Sequence, residues 1–177
     1  MLKNYYYTEK EIDRLCKSIV ILVDRREQKN QHITDWFTKK KIPWKEKSLD
    51  QGDYSFYIPA NDELSIDRDL FFDKEIMVER KQHLDEIAGN FTVNRNRFEE
   101  EFSLFPGKKK YILLENSTYG DIVDKNYFSK LNVKSFLGSI HSFGHKYDAE
   151  VVYMPNNEYS GAWIYGTFLY YLKNLLR

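Results

Sequence analysis

Two hydrophobic periods divide the chain into strands and helices. Ser18 to Asp24 (SIVILVD) is a continuous apolar run that ends on an acid, the pattern of a buried strand. Ahead of it, Thr8-Glu9-Lys10-Glu11 matches a capping box with Ile12, Leu15 and Cys16 behind, which predicts a short N-terminal helix. Ile33, Trp36 and Phe37 recur at helical spacing until Ile42-Pro43 stops the helix. Trp44 to Leu49 and Tyr54 to Ile58 read as two strands joined as a hairpin through Asp50-Gln51-Gly52-Asp53. Pro59 to Asp69 is polar and acidic and reads as an inserted loop, after which Phe71 to Lys81 returns to strand. From Leu84 the pattern is helical, with Phe98, Phe102 and Phe105 on one face and Pro106-Gly107 as the stop. Lys110 to Glu115 predicts a strand. Val133, Phe136, Leu137, Ile140 and Phe143 form a helical stripe capped at Gly144. Glu150 to Met154 is a last strand and Trp163 to Leu176 a last helix. This order predicts an α/β fold, a sheet flanked by helices on both faces.

Composition narrows the class. With 31% charged and 42% apolar residues, the chain is globular rather than disordered. Its 27 basic and 27 acidic residues cancel, so any nucleic-acid contact must come from a local patch. A single cysteine, Cys16, permits no internal disulfide and no cysteine zinc cluster. The N-terminus lacks a signal-peptide core, and Ala162 to Leu172 is too short to span a bilayer. Together these place the protein in the cytoplasm, away from membranes. The first strand is followed by VDRREQKN, which has no glycine, so neither a Rossmann nor a P-loop nucleotide site is expected.

The chemistry sits where Ile76-Met77-Val78 runs into Glu79-Arg80-Lys81. Residues two apart on a strand share a face, so Glu79 and Lys81 project together and Arg80 projects opposite. Gly52-Asp53 opens a neighbouring predicted strand and brings a second carboxylate near. Two carboxylates suit Mg²⁺, which prefers oxygen ligands and keeps several waters. An adjacent lysine can orient a water or meet negative charge developing on a phosphodiester. On its own this triplet has a plain alternative, a solvated strand end with a weak Glu–Lys pair.

The wider context is more specific. Val23-Asp24-Arg25-Arg26-Glu27, then Gly52-Asp53, then Glu79-Arg80-Lys81 with Asp85 after three residues stand in order along the chain. This set resembles the nuclease domain of the XPF/Hef/Mus-type structure-specific endonucleases, whose signature is V-D-x-R-E, G-D and E-R-K-x-x-x-D. The resemblance runs from about Ile19 to the C-terminus. It implies a restriction-endonuclease-like core with a central mixed sheet, a single nuclease domain over 19–177 and a helical extension over 1–18. It further implies Mg²⁺- or Mn²⁺-dependent cleavage of branched DNA (flaps, forks, nicked junctions), of the kind used in repair and recombination, with no organic cofactor. Asp24, Asp53 and Glu79 match the family's metal-binding acids and Lys81 its catalytic lysine. Glu27, Arg80 and Asp85 match other active-site signature positions. Arg26, Arg95 and Arg97 are the expected DNA contacts.

The sequence departs from the family in the long spacing between Asp53 and Glu79, and no helix-hairpin-helix module follows the nuclease domain. A stand-alone domain of this kind suits a phage or another mobile element. Homodimers are usual in the family, and the aromatic last helix (Tyr159, Trp163, Tyr165, Phe168, Tyr170, Tyr171) serves equally as core or as a dimer surface. Two other readings remain: a non-catalytic DNA-binding scaffold on the same fold, and an exonuclease or sequence-specific nuclease. Lys39-Lys40-Lys41 and Lys108-Lys109-Lys110 are basic clusters that serve either phosphate binding or solubility. His141 and His145, four apart on a helix, read as an ordinary surface pair.

Overall fold

A computed structural model describes residues 6–64 and 66–177. Its helices are α1 (Glu9–Lys17), α2 (Gln31–Lys39), α3 (Leu84–Asn90), α4 (Arg95–Leu104), α5 (Tyr119–Val123), α6 (Val133–Tyr147) and α7 (Ser160–Leu176). Its strands are β1 (Val20–Asp24), β2 (Trp44–Lys47), β3 (Tyr54–Ile58), β4 (Leu70–Phe71), β5 (Ile76–Lys81), β6 (Lys109–Glu115) and β7 (Ala149–Met154). They form one mixed sheet in the order β2-β1-β3-β5-β6-β7, with β4 paired to β3. The pairs β1/β2, β5/β6 and β6/β7 are parallel, and β3 runs antiparallel to β1, β4 and β5.

Local signals explain the helix ends. Thr8 and Glu11 form the expected capping box, and a second one, Thr118 with Asp121, starts α5, a short helix the hydrophobic pattern gave no sign of. Phe98, Phe102 and Phe105 are all buried as the stripe predicts, although the helical run from Leu84 is broken into α3 and α4 at residues 91–94. α6 continues one turn past Gly144 and ends at Asp148 in the left-handed conformation (φ 51°). Gly144 serves close approach instead of capping, since a Cβ there would stand 3.1 Å from the Ala149 carbonyl oxygen.

The expected hairpin between the second and third strands does not form. β1 lies between β2 and β3, so residues 48–53 cross over the end of β1. Ile21 and Val23, which face one side of β1, join a core with Phe37 of α2, Leu15 of α1 and Phe168 of α7. On the opposite face, Met77, Ile112 and Leu114 pack against Ile87 of α3, Phe102 of α4 and Phe136 of α6. Residues 59–69 carry a small bridge, Asn61 to Ile66, and Ile66 reaches the first core. α7 buries Ile164, Phe168, Leu172 and Leu176 in that core, leaving Tyr159 and Tyr170 exposed. Among the described residues no helix is long and apolar enough to cross a membrane.

Candidate active site

Three strands bring their chemistry to one place through main-chain bonds. The Asp24 N–H donates to the Asp53 carbonyl at 2.8 Å, and the Asp53 N–H donates to the Val78 carbonyl at 2.9 Å. Asp53 therefore sits between the end of β1 and the second half of β5. The register pairs Val23 with Tyr54 and Tyr54 with Val78. Side chains alternate along each strand, so Asp24, Asp53, Glu79 and Lys81 emerge on one face and Arg80 on the other.

Each carboxylate has a distinct environment. Glu79 is buried and paired with the Lys81 ammonium. Asp53 accepts from the Arg80 backbone N–H at 2.7 Å. Burial, and then the charge of Glu79, push the Asp53 carboxyl well above the usual range, with Lys81 opposing. Lys81 stays cationic: burial works against its charge, but Glu79 and Asp53 outweigh burial and raise its pKa. Its ammonium also lies 5.3 Å from the centre of the Phe98 ring. Asp24 is only 1% exposed, and both its oxygens are taken. Arg26 donates through its backbone and side chain, and the Leu49 N–H adds a bond at 2.7 Å. Burial pushes Asp24 up, yet these bonds leave its carboxyl below the usual range.

The sequence pattern did not point to Glu101. From α4 it accepts the Gly52 N–H at 3.0 Å. Burial, and then the charge of Glu79, raise its pKa. With Asp53, Glu79, Arg26 and Arg97 it lines an open groove. Its only sequence signal is its place four residues after Arg97, one turn along the same helix. Gly52 makes the turn possible. It holds φ +72°, and a Cβ there would stand 2.9 Å from Met77 Cβ.

The remaining sequence candidates lie elsewhere. Arg80, 4% exposed, points behind the sheet to Glu115 and Glu27, each at 2.6 Å, and to the Lys29 carbonyl at 3.0 Å. His32 Nε2 lies 2.8 Å from the other Glu115 oxygen, which completes a network the sequence did not reveal. Glu27 thus belongs to this rear network, away from Glu79. Asp85 accepts the Ser129 N–H at 2.6 Å and anchors the segment before α6. Arg95 pairs with Glu99 at 2.8 Å on the surface of α4. Lys110 donates to the Tyr147 carbonyl, and His141 contacts the Tyr119 hydroxyl at 3.2 Å.

The groove suits a hard divalent cation. Asp53, Glu79 and Glu101 offer only oxygen donors, and burial, followed by the charge of Glu79, raises the carboxyls of Asp53 and Glu101, a crowding of acids that a cation relieves. Among the described residues no three His, Cys, Asp or Glu side chains form a ready cage. Two carboxylates with water filling the other positions is the arrangement Mg²⁺ favours.

Comparisons with known proteins agree with this architecture. The ERCC4 domain profile matches residues 23–167. A search of curated protein sequences finds no match. Among solved structures, XPF from Aeropyrum pernix is similar with a TM-score of 0.58 and 15% identity, covering 84% of this chain and 59% of that one. The same protein in complex with DNA gives a TM-score of 0.60 at 15% identity, covering 88% and 64%. The chain thus spans about 59–64% of the length of these XPF chains, and the likeness is one of fold. With the domain profile matched over most of its length, the chain belongs to the ERCC4 domain family.

Proposed function

We propose that this protein is a divalent-metal-dependent DNA endonuclease that hydrolyses phosphodiester bonds, with branched DNA as substrate. The observation that carries the reading is the shared face of Asp53, Glu79 and Lys81, at adjoining strand ends beside a groove lined by Arg26 and Arg97. Asp53 and Glu79 would hold Mg²⁺ or Mn²⁺. When bound, the metal would lower the pKa of a coordinated water and neutralise charge on the scissile phosphate. Asp24 can join only when Arg26 releases it, so the primary pair is Asp53 and Glu79. Lys81 acts as a fixed cation. Paired with Glu79, it is suited to orient the attacking water or meet charge on the phosphate. Arg26, Arg97 and, at the start of α4, Arg95 would contact the backbone of the DNA. Glu27, Arg80 and Asp85 hold the scaffold around the site. Assembly as a homodimer belongs to the same reading, and light scattering in solution tests it. The function is tested by incubating labelled flap, fork and linear duplex with protein and Mg²⁺. Cleavage of the branched substrates that is lost in Asp53→Ala and Glu79→Ala supports the proposal. Cleavage unchanged in both variants refutes it.

A further inference from the structure

Helix cover on the active-site face stops halfway across the sheet. α3, α4 and α6 cover β5, β6 and β7 there, whereas Val20, Leu22 and Tyr57 of β1 and β3 cluster only with Leu49 from the crossover. This helix-free area, in which Leu22, Leu49 and Tyr57 are buried and Phe71 is exposed, adjoins Asp24, Asp53 and Glu79. The register sets Lys45 beside Leu22 and Lys47 beside Asp24, so both lysines stand on this face and Glu46 faces away. Lys45 Nζ lies 3.9 Å from the centre of the Tyr57 ring, and Lys47 Nζ lies 5.2 Å from that of Phe71. Tyr57 and Phe71 stack at 5.0 Å with 15° between planes, and Phe71 is 43% exposed.

Lysine on an edge strand commonly serves only to block edge-to-edge pairing. That role leaves the ammonium in water and requires no ring beneath it. Here both lysines lie over rings. Lys47 pairs with Asp73, and Lys45 has no acidic partner among the described residues. The face is about 14 Å wide at the usual strand spacing and carries two lysines and one open aromatic ring. Such a surface fits a single nucleic-acid strand, whose phosphates meet ammonium groups while its bases stack on rings.

We propose that the helix-free face of β1, β2, β3 and β4, through its outer side chains, seats a single DNA strand leading to the Asp53–Glu79 site. Lys45, joined by Lys47 when it exchanges Asp73 for phosphate, holds its phosphates and Phe71 stacks a base. This rests on the endonuclease reading and adds a path for the substrate.

The test is fluorescence anisotropy in EDTA, where no strand is cut, using a labelled single-stranded oligonucleotide and a blunt duplex. Lys45→Glu and Phe71→Ala are compared with wild type and with Lys39→Glu, which lies on α2 behind the sheet. Phe71→Leu provides a milder change that keeps β4 apolar. Lys45→Glu and Phe71→Ala should each weaken single-strand binding roughly tenfold, and Lys45→Glu should lower the salt slope by about 0.7. Phe71→Leu should fall between them and wild type, and Lys39→Glu should match wild type. Wild-type affinity in both Lys45→Glu and Phe71→Ala overturns the strand path and leaves the endonuclease reading standing. Loss of duplex binding alone in these variants also overturns it, because the face would then seat a duplex. Wild-type protein that binds neither DNA overturns the strand path, and the endonuclease reading is then decided by the cleavage assay with Mg²⁺.

Discussion

The Arg80 backbone N–H donates to Asp53 at 2.7 Å on one face of the sheet, while the Arg80 side chain leaves by the other face to Glu27 and Glu115. One residue therefore fixes a carboxylate of the candidate site and closes a buried ion network behind it. Glu27 and Glu115 outweigh the cost of burial and keep the guanidinium firmly cationic. Replacing Arg80 with Met removes the guanidinium that bridges two enclosed carboxylates, and breaking a buried pair costs about 3–5 kcal/mol. Urea unfolding should show that loss. Glu115→Gln keeps an acceptor for Arg80 and should cost clearly less. Arg80→Met protein held well below its unfolding transition should still cleave DNA, because Asp53, Glu79 and Lys81 remain. Complete loss of cleavage in folded Arg80→Met would instead make Arg80 catalytic.

Cleavage should depend on the front face and on metal. Asp53→Asn and Glu79→Gln keep the shapes of the side chains and remove the charges that would hold the cation. Each should lower the cleavage rate by about a hundredfold or more, the scale of several kcal/mol of lost transition-state stabilisation. Asp53→Asn should unfold near wild type, because burial already disfavours its charge. Glu79→Gln weakens the buried pair with Lys81 and should lower the unfolding temperature, so its rate is read well below that transition. EDTA should abolish wild-type cleavage, and added Mg²⁺ or Mn²⁺ should restore it. A variant that cleaves at the wild-type rate would remove that residue from the site.

Much of this site was legible because strand geometry is local. Period-two alternation puts Glu79 and Lys81 on one face and Arg80 opposite, and the structure has that arrangement. The hairpin expectation failed because a Gly-Asp turn signals reversal but not which strand the chain will join. The end of β1 holds the crossover instead, the Asp24 carboxylate accepting from the Leu49 N–H and the Asp24 N–H donating to the Asp53 carbonyl. Glu101 stayed hidden because, between Phe98 and Phe102, it reads as the solvent side of an amphipathic helix. Asp85 shows the limit of motif spacing. It lies six residues from Glu79 along the chain, but as the second residue of α3 it turns to Ser129. The Arg80–Glu115–His32 chain joins residues far apart in sequence, which no local pattern encodes.

Gly52 has a stronger constraint than an ordinary turn glycine. Its φ of +72° disfavours any side chain, and a Cβ would meet Met77 Cβ, a core atom of the next strand. Gly52→Ala should therefore destabilise the protein by about 1–3 kcal/mol. It should also displace Asp53 and weaken the Gly52–Glu101 bond. Cleavage measured at a temperature where the variant is folded should fall, because a misplaced carboxylate costs rate even when the fold survives. Stability and rate both at wild-type levels would show that the turn relaxes without moving Asp53.

Glu99 joins α4 to α6 and gives the fold a pH-dependent clasp. It accepts from Lys146 at 2.6 Å, from Tyr147 at 2.8 Å and from Arg95 at 2.8 Å. The Lys146 bond, then those from Tyr147 and Arg95, lower its pKa to about 2. An unfolded glutamate titrates near about 4.3. A carboxyl depressed in the folded state stabilises fully above the unfolded pKa and loses that contribution as pH falls through the folded one. The clasp should therefore act fully at pH 6, weaken below about pH 4.3 and fade towards about 2. Because the pairs lie at the surface, the contribution at pH 6 should be no more than about 1 kcal/mol. Urea unfolding of wild type and Glu99→Gln between pH 6 and pH 3 measures it as the difference between the two curves. Other carboxyls titrate alike in both proteins and cancel. A difference that narrows as pH falls supports the clasp; a difference constant across the range would show that Glu99 acts through packing alone.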